Sequence, residues 1–174
     1  MNNPGHILHA ERDGTHYLRL IGAVRYPLAT SLDHFLQNIF SGSIPRAFLV
    51  DLSATDVIDS TNLGLLVKIA RLMSENHAPS VVLFSPREDI TEVLLSMGFN
   101  QFFQLITTDS PEQEDATECK PIPIAEADRT SLARTILEAH RALMAMDARN
   151  ESVFMDVVRY LEKEVEGSEN NERR

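Results

Sequence analysis

Residues 48–72 read "FLVDLSATDVIDSTNLGLLVKIARL", and the fold class turns on how that stretch is read. The run "RAFLVDL" (46–52) is apolar after Arg46 apart from Asp51, the pattern of a strand buried on both faces of a sheet. From Ser60 onward the apolar residues recur at helical spacing, which predicts a helix over about 60–76. Asp59 falls at the N-cap, with its carboxylate placed to accept from the Thr61 or Asn62 amide. A buried strand that runs straight into a capped helix is half of a crossover unit.

The flanking sequence repeats that logic. "HYLRLIGAV" (16–24) is rich in β-formers, and "GHILHA" before it can pair back across the "ERDG" turn as an opening hairpin. "LATSLDHFLQNIF" (28–40) sets Leu28, Leu32, Phe35, Leu36 and Ile39 at helical spacing until "SGSIP" breaks it. "SVVLF" (80–84) is another buried strand. "REDITEVLLSMG" (87–98) is a helix closed by Gly98, and "QFFQLI" (101–106) is the last strand. Strand, helix, strand, helix, strand implies crossover connections and at least partly parallel pairing, hence an α/β or α+β domain over residues 1–108.

Residues 109–125 hold three prolines and five acids with little to bury, the composition of a linker. Residues 126–166 carry two helical stripes. Leu132, Ile136, Ala139, Leu143 and Met146 form the first; Val153, Phe154, Val157, Val158, Leu161 and Val165 form the second. Asp147 and Asn150 supply turn and cap chemistry between them. Residues 167–174, "GSENNERR", are expected to be a disordered tail. Two helices cannot bury their stripes alone. They must pack on the domain, on a second copy as a homodimer, or on a partner, and docking on their own domain is the default.

On a helical wheel begun at Ser60, Gly64, Lys68, Arg71 and Glu75 fall within about 80° of it, a narrow hydrophilic strip on an otherwise apolar helix. A glycine inside a helix costs about 1 kcal/mol relative to alanine. At position 64 it either leaves a bare patch for another protein's backbone or relieves crowding against a neighbouring element. A phosphate on Ser60 would meet the positive end of the helix dipole. It would also add about −1.5 to −2 of charge beside Asp59. The fold tolerates that charge, whereas a partner resting on the strip does not.

Composition narrows the function classes. The chain has 174 residues, 43% hydrophobic, with a formal net charge of −10 and a pI near 5.0. The acidity is uneven: residues 109–174 carry a net −7 and residues 1–108 a net −3. No basic surface for nucleic acid is expected. No apolar run approaches the roughly 20 residues that span a bilayer, and the N-terminus does not read as a signal peptide, so a cytoplasmic location without membrane contact is expected. The lone Cys119 has no cysteine to pair with in the chain and no local metal spacing. His6, His9, His16, His34, His77 and His140 form no HExxH-type pair and are expected at solvated or edge positions. Ser60 lacks nucleophile-elbow glycines, and no glycine-rich phosphate loop occurs. No catalytic residue, metal or cofactor is therefore expected, and the protein reads as a binding module.

The 48–72 stretch resembles the STAS family, shared by anti-sigma factor antagonists and sulfate transporters. The signature is a buried strand ending in Asp-Leu-Ser, then Asp-Ser-Ser/Thr-Gly-Leu-Gly opening a helix. "VVLFSPREDITEVLLSMGFNQFFQL" (81–105) resembles the family's second half, and "LRLIGAVRYPLATSLDHFL" (18–36) matches its opening more loosely. The resemblance covers residues 6–108. It implies a mixed sheet of four to five strands with helices packed mainly on one side, to which this chain adds a C-terminal helical extension.

The resemblance further implies an anti-sigma factor antagonist working by partner switching in a stress response. The unmodified form would bind an anti-sigma factor with serine kinase activity and free the sigma factor. Phosphorylation at Ser60 would switch binding off, and a PP2C-type serine phosphatase, in some cases fused to a response regulator, would restore it. Carried over by position, the acceptor is Ser60, with Thr61, off the exposed strip, as second candidate. The partner contacts are Asp59, Ser60, Thr61, Asn62, Gly64, Lys68 and Arg71. Two departures stand out: Asn62 replaces the family's usual glycine, and "GAVRY" (22–26) replaces an early Gly-x-Leu-Asp turn, leaving Arg25 where an acid is customary. The alternative is a non-switching STAS interaction subunit of a transporter or other signalling complex.

Overall fold

The computed structural model describes residues 4–108 and 119–172. The central strand β3 (Ala47–Ile58) pairs in parallel with β2 (Thr15–Val24) on one side and β4 (Val82–Phe84) on the other. Outside β4 lies β5 (Gln104–Ile106), also parallel. Outside β2 lies β1 (His6–Arg12), antiparallel, followed by the two-residue β6 (Lys120–Pro121). The order is β5-β4-β3-β2-β1-β6, a mixed sheet. Three helices connect its strands: α1 (Ala29–Ser41), α2 (Ser60–Glu75) and α3 (Glu88–Ser96). Two more, α4 (Arg129–Met146) and α5 (Ala148–Glu172), form the C-terminal extension.

Alternation in β2 shows how the sheet is covered. Leu18, Leu20, Gly22 and Val24 are buried, while Tyr17, Arg19, Ile21 and Ala23 between them are only half-buried. One face therefore carries the helical layer. Leu18, Leu20, Leu32, Leu36, Val50, Leu52, Leu66 and Ile69 are fully enclosed there, each contributing about 1.5–3 kcal/mol of apolar burial. The half-covered face tolerates an ion pair: Arg19 Nε lies 3.4 Å from the Asp51 carboxylate, which accounts for the acid within the apolar part of β3.

β3 is longer than "RAFLVDL" indicates, continuing through the polar "SATDVI" to Ile58. The register with β2 slips twice near Ile21 and Gly22, and the buried Thr55 hydroxyl donates to the Leu20 carbonyl at 2.8 Å. That side-chain bond lets a polar segment stay in the sheet. The last strand is shorter than expected. Phe99–Gln101 make a 3₁₀ turn after Gly98, whose φ of 87° is the left-handed helix stop, and pairing begins only at Gln104.

The extension packs on the same core. Ala139, Ala142, Leu143 and Met146 of α4 and Phe154 of α5 join the main hydrophobic cluster. The expected linker over 109–125 is partly replaced: Lys120 and Pro121 pair with His9 and Leu8, and Ile122 is buried. Its residues 109–118 lie outside the described residues. α5 runs to Glu172, so the helix passes through Gly167 into positions expected to be a disordered tail, with 173–174 outside the described residues. The second stripe is also narrower than read. Phe154, Val158 and Leu161 turn inward, whereas Val153 and Val157 are exposed, because α5 has only α4 and the core on one side to pack against.

Candidate functional site

Asp59 organises the start of α2. One carboxylate oxygen accepts from the Asn62 amide at 3.0 Å and the Asn62 side-chain Nδ2 at 2.9 Å. The other accepts from the Tyr26 amide, so the carboxylate ties the loop after β2 to the first turn of α2. The cap predicted from sequence is present, with Asn62 as its target. Asn62, at the position where the resemblance implies glycine, is fully buried and folds back on Asp59. Its Oδ1 has no hydrogen-bond partner among the described residues. Flipping the amide would set that oxygen against the carboxylate, so Asp59 fixes its orientation.

Ser60 is half-buried at the first position of α2. Its Oγ lies 2.9 Å from Nε2 of His140 on α4. Nδ1 of that ring lies 2.8 Å from the Ile136 carbonyl, which can only accept. In a neutral imidazole the Nδ1 proton is thereby assigned, Nε2 is the acceptor, and the Ser60 hydroxyl donates to it. His140 is 5% exposed and meets Phe154 edge-on. The expectation of a solvated or edge histidine fails here. His140 lies four residues after Ile136 and one after Ala139, beside the apolar stripe of α4. That placement was the available signal that it faces inward.

The hydrophilic strip is therefore covered along its upper half, contrary to the sequence expectation of an open face. Gly64 is buried, and a Cβ there would collide with the backbone carbonyl of Ala139. Of the two readings of this glycine, the structure shows close approach of a neighbouring helix of the same chain. Lys68 is half-buried, with its ammonium 2.7 Å from Asp33 and 3.8 Å from Glu138 of α4. Thr61 is buried at 4% exposure, and Asn62 points inward, so neither is presented to a partner. Arg71 alone among the expected contacts is exposed, and among the described residues its ion pair is with Glu75 at 3.5 Å.

Below this covered stretch, the C-terminal half of α2 borders a groove of about 690 Å³, lined by Val67, Arg71, His77, Phe102, Ala142 and Met146 among others. On β1 and β2, toward the other side of the sheet, His9 and His16, expected at solvated or edge positions, form a half-buried pair: Nε2 of His9 lies 3.0 Å from Nδ1 of His16. Burial, and then the neighbouring His16, push the His9 pKa down to about 4, and burial lowers that of His16. Among the described residues no cluster of three or more His, Cys, Asp or Glu side chains could hold a metal ion, and no helix is long and apolar enough to cross a membrane.

The sequence profile of the STAS domain matches residues 6–113, well over half of the chain. This chain belongs to the STAS domain family. Two solved structures are similar to this chain at low identity. The NMR structure of the protein TM1081 aligns with a TM-score of 0.51 at 21% identity, covering 57% of this chain and 79% of that one. A substituted form of RsbS from Moorella thermoacetica aligns with a TM-score of 0.49 at 19% identity, covering 59% and 86%. No curated protein matches the sequence significantly. The STAS match stops before α4 and α5, so the helices that cover Ser60 are an addition of this chain to the shared domain.

Proposed function

We propose that this STAS protein is an anti-sigma factor antagonist controlled by phosphorylation at Ser60. The observation that carries the reading is the position of that hydroxyl. It follows the capping Asp59, at the junction where the central strand gives way to α2, inside the segment that matches the family. In the proposed cycle the unmodified protein binds a serine-kinase anti-sigma factor through the face of α2. The kinase transfers the γ-phosphoryl group of ATP to Ser60 Oγ. The charge, about −1.5 to −2, sits at the favourable end of the helix dipole but beside Asp59, and a docked partner is repelled. A PP2C-type phosphatase returns the hydroxyl. Repulsion of a few kcal/mol lowers affinity on the order of a hundredfold.

The test is direct. Lysate from the native cell is searched for a phosphopeptide covering 60–71, and Ser60→Asp and Ser60→Ala are compared in capture of a kinase-type anti-sigma factor. Ser60→Asp is expected to lose the kinase and Ser60→Ala to retain it; equal binding overturns the reading. One observation favours a second reading, a non-switching interaction subunit. The Ser60 hydroxyl is already engaged by His140, and a serine that serves as a helix-to-helix bond needs no kinase. Absence of any phosphate on 60–71 under stress, with a stable partner still captured, selects that reading.

A further inference from the structure

We propose that the α4–α5 hairpin is an intramolecular occupant of the face that α2 turns toward a partner, latched at Ser60 by His140. A kinase or binding partner then reaches Ser60 only after the N-terminal half of α4 has swung away. The proposal rests on the reading of the α2 face as the partner surface, and it names what holds that surface in this state.

Three of the expected partner contacts are met by three consecutive residues of α4. Glu138 faces Lys68, Ala139 sits against Gly64, and His140 accepts from Ser60. These contacts are polar or between small groups. The larger apolar side chain of this half, Leu137, packs with Val158 and Leu161, with Ile136 and Val165 around them, in a cluster internal to the hairpin. Arg129 with Glu164 and Arg141 with Glu162, at 3.0 and 2.7 Å, also join α4 to α5 and not to the sheet. The hairpin thus keeps the Leu137 cluster and these two ion pairs if it moves as a unit.

The opposite end is fastened. Leu143 and Met146 enter the main core. Asn150 Nδ2 donates to the Met97 and Leu143 carbonyls, and Gln101 donates to Asp147 at the turn. On the other side the chain is held as far as Ala125, whose amide donates to Ser31 Oγ, and is then exposed through Asp128, the cap of α4. The geometry is that of a lever fixed at the α4–α5 turn, free to flex at 126–128, and latched at Ser60.

The test is hydrogen exchange read by mass spectrometry on the full chain and on His140→Ala, Glu138→Lys and Gly64→Ala. The first removes the acceptor, the second sets two cations together at an exposed position, and the third forces the helices apart. In each variant, amides of 60–68 and 129–140 are expected to exchange on the order of tenfold faster, while β2, β3 and residues 143–150 keep their rates. Unchanged exchange at 60–68 and 129–140 in His140→Ala and Glu138→Lys overturns the latch. Equal acceleration through the sheet overturns the lever, because the hairpin is then an inseparable part of the fold. Either result stands whether or not Ser60 is ever found phosphorylated, so failure of the phosphorylation reading is scored separately.

Discussion

The two halves of α2 share one polar strip and have opposite surroundings. Ser60, Gly64 and Lys68 lie on the same strip as Arg71 and Glu75. Yet the first three are covered by α4, while the last two are exposed beside a groove. The difference lies in what stands opposite. Above, a small residue of each helix lets the backbones touch at Gly64 and Ala139. Below, the α4–α5 turn and Phe102 leave a gap that Ala142 and Met146 line without filling. A strip of polar residues on a helix is therefore a necessary mark of a docking face and no guarantee that the face is vacant.

The comparison breaks hardest at Leu143, the fully enclosed residue by which α4 joins the core. Leu143→Ala is expected to cost about 3 kcal/mol in urea unfolding; a loss below about 1 kcal/mol would mean that the lower half of α4 is as loosely held as its upper half. Gly64→Ala comes next, at roughly 1–3 kcal/mol from forced overpacking against the Ala139 carbonyl. The same measurement on a chain ending at residue 125 decides its origin, because the penalty should vanish once α4 is gone. Ser60→Ala leaves the His140 Nε2 buried without its donor and is expected to cost about 1–2 kcal/mol. A neutral effect would show that this bond contributes nothing net.

Acidity gives a smaller effect at the other end of the sheet. The folded-state pKa of His9 lies near 4, and an unfolded histidine takes its proton near 6.5. Between those values the unfolded chain binds more protons, so stability falls as pH drops through that window and is regained above it. His9 is half-buried, which discounts the effect to about 1 kcal/mol between pH 7 and pH 5. His9→Gln should flatten the pH profile of the urea midpoint. If the slope persists in that variant, another group is responsible. Smallest is Arg71→Ala, on the open half of α2, expected to lie within about 0.5 kcal/mol of wild type in the same assay.

Much of this protein could be read before any coordinates. Continuous apolar runs mark β3 and β4, although the second face of the sheet is only half-covered and leaves Leu49 and Val82 half-buried. Asp59 marks the start of α2, because a helix leaves its first amides unpaired and a carboxylate at that point satisfies them. Boundaries were less legible where tertiary bonds override local character. Thr55 reaching Leu20 keeps polar residues in β3, and Lys120 and Pro121 join the sheet although their neighbourhood has the composition of a linker. Ser60, Gly64 and Lys68 were found by spacing. Their partners His140, Ala139 and Glu138 were not, because nothing local connects residues some 70 to 80 positions apart.

Local order came from the residues themselves: which segments pleat, which coil, where a helix is capped, and where one alcohol stands at its first turn. Those outcomes depend on neighbours within a few positions, so the order of amino acids is enough to dictate them. Whether that alcohol meets water or a histidine was decided only when the chain closed on itself. Contact between distant helices depends on the direction in which α5 returns and the depth to which α4 sinks, quantities that no short window of sequence contains.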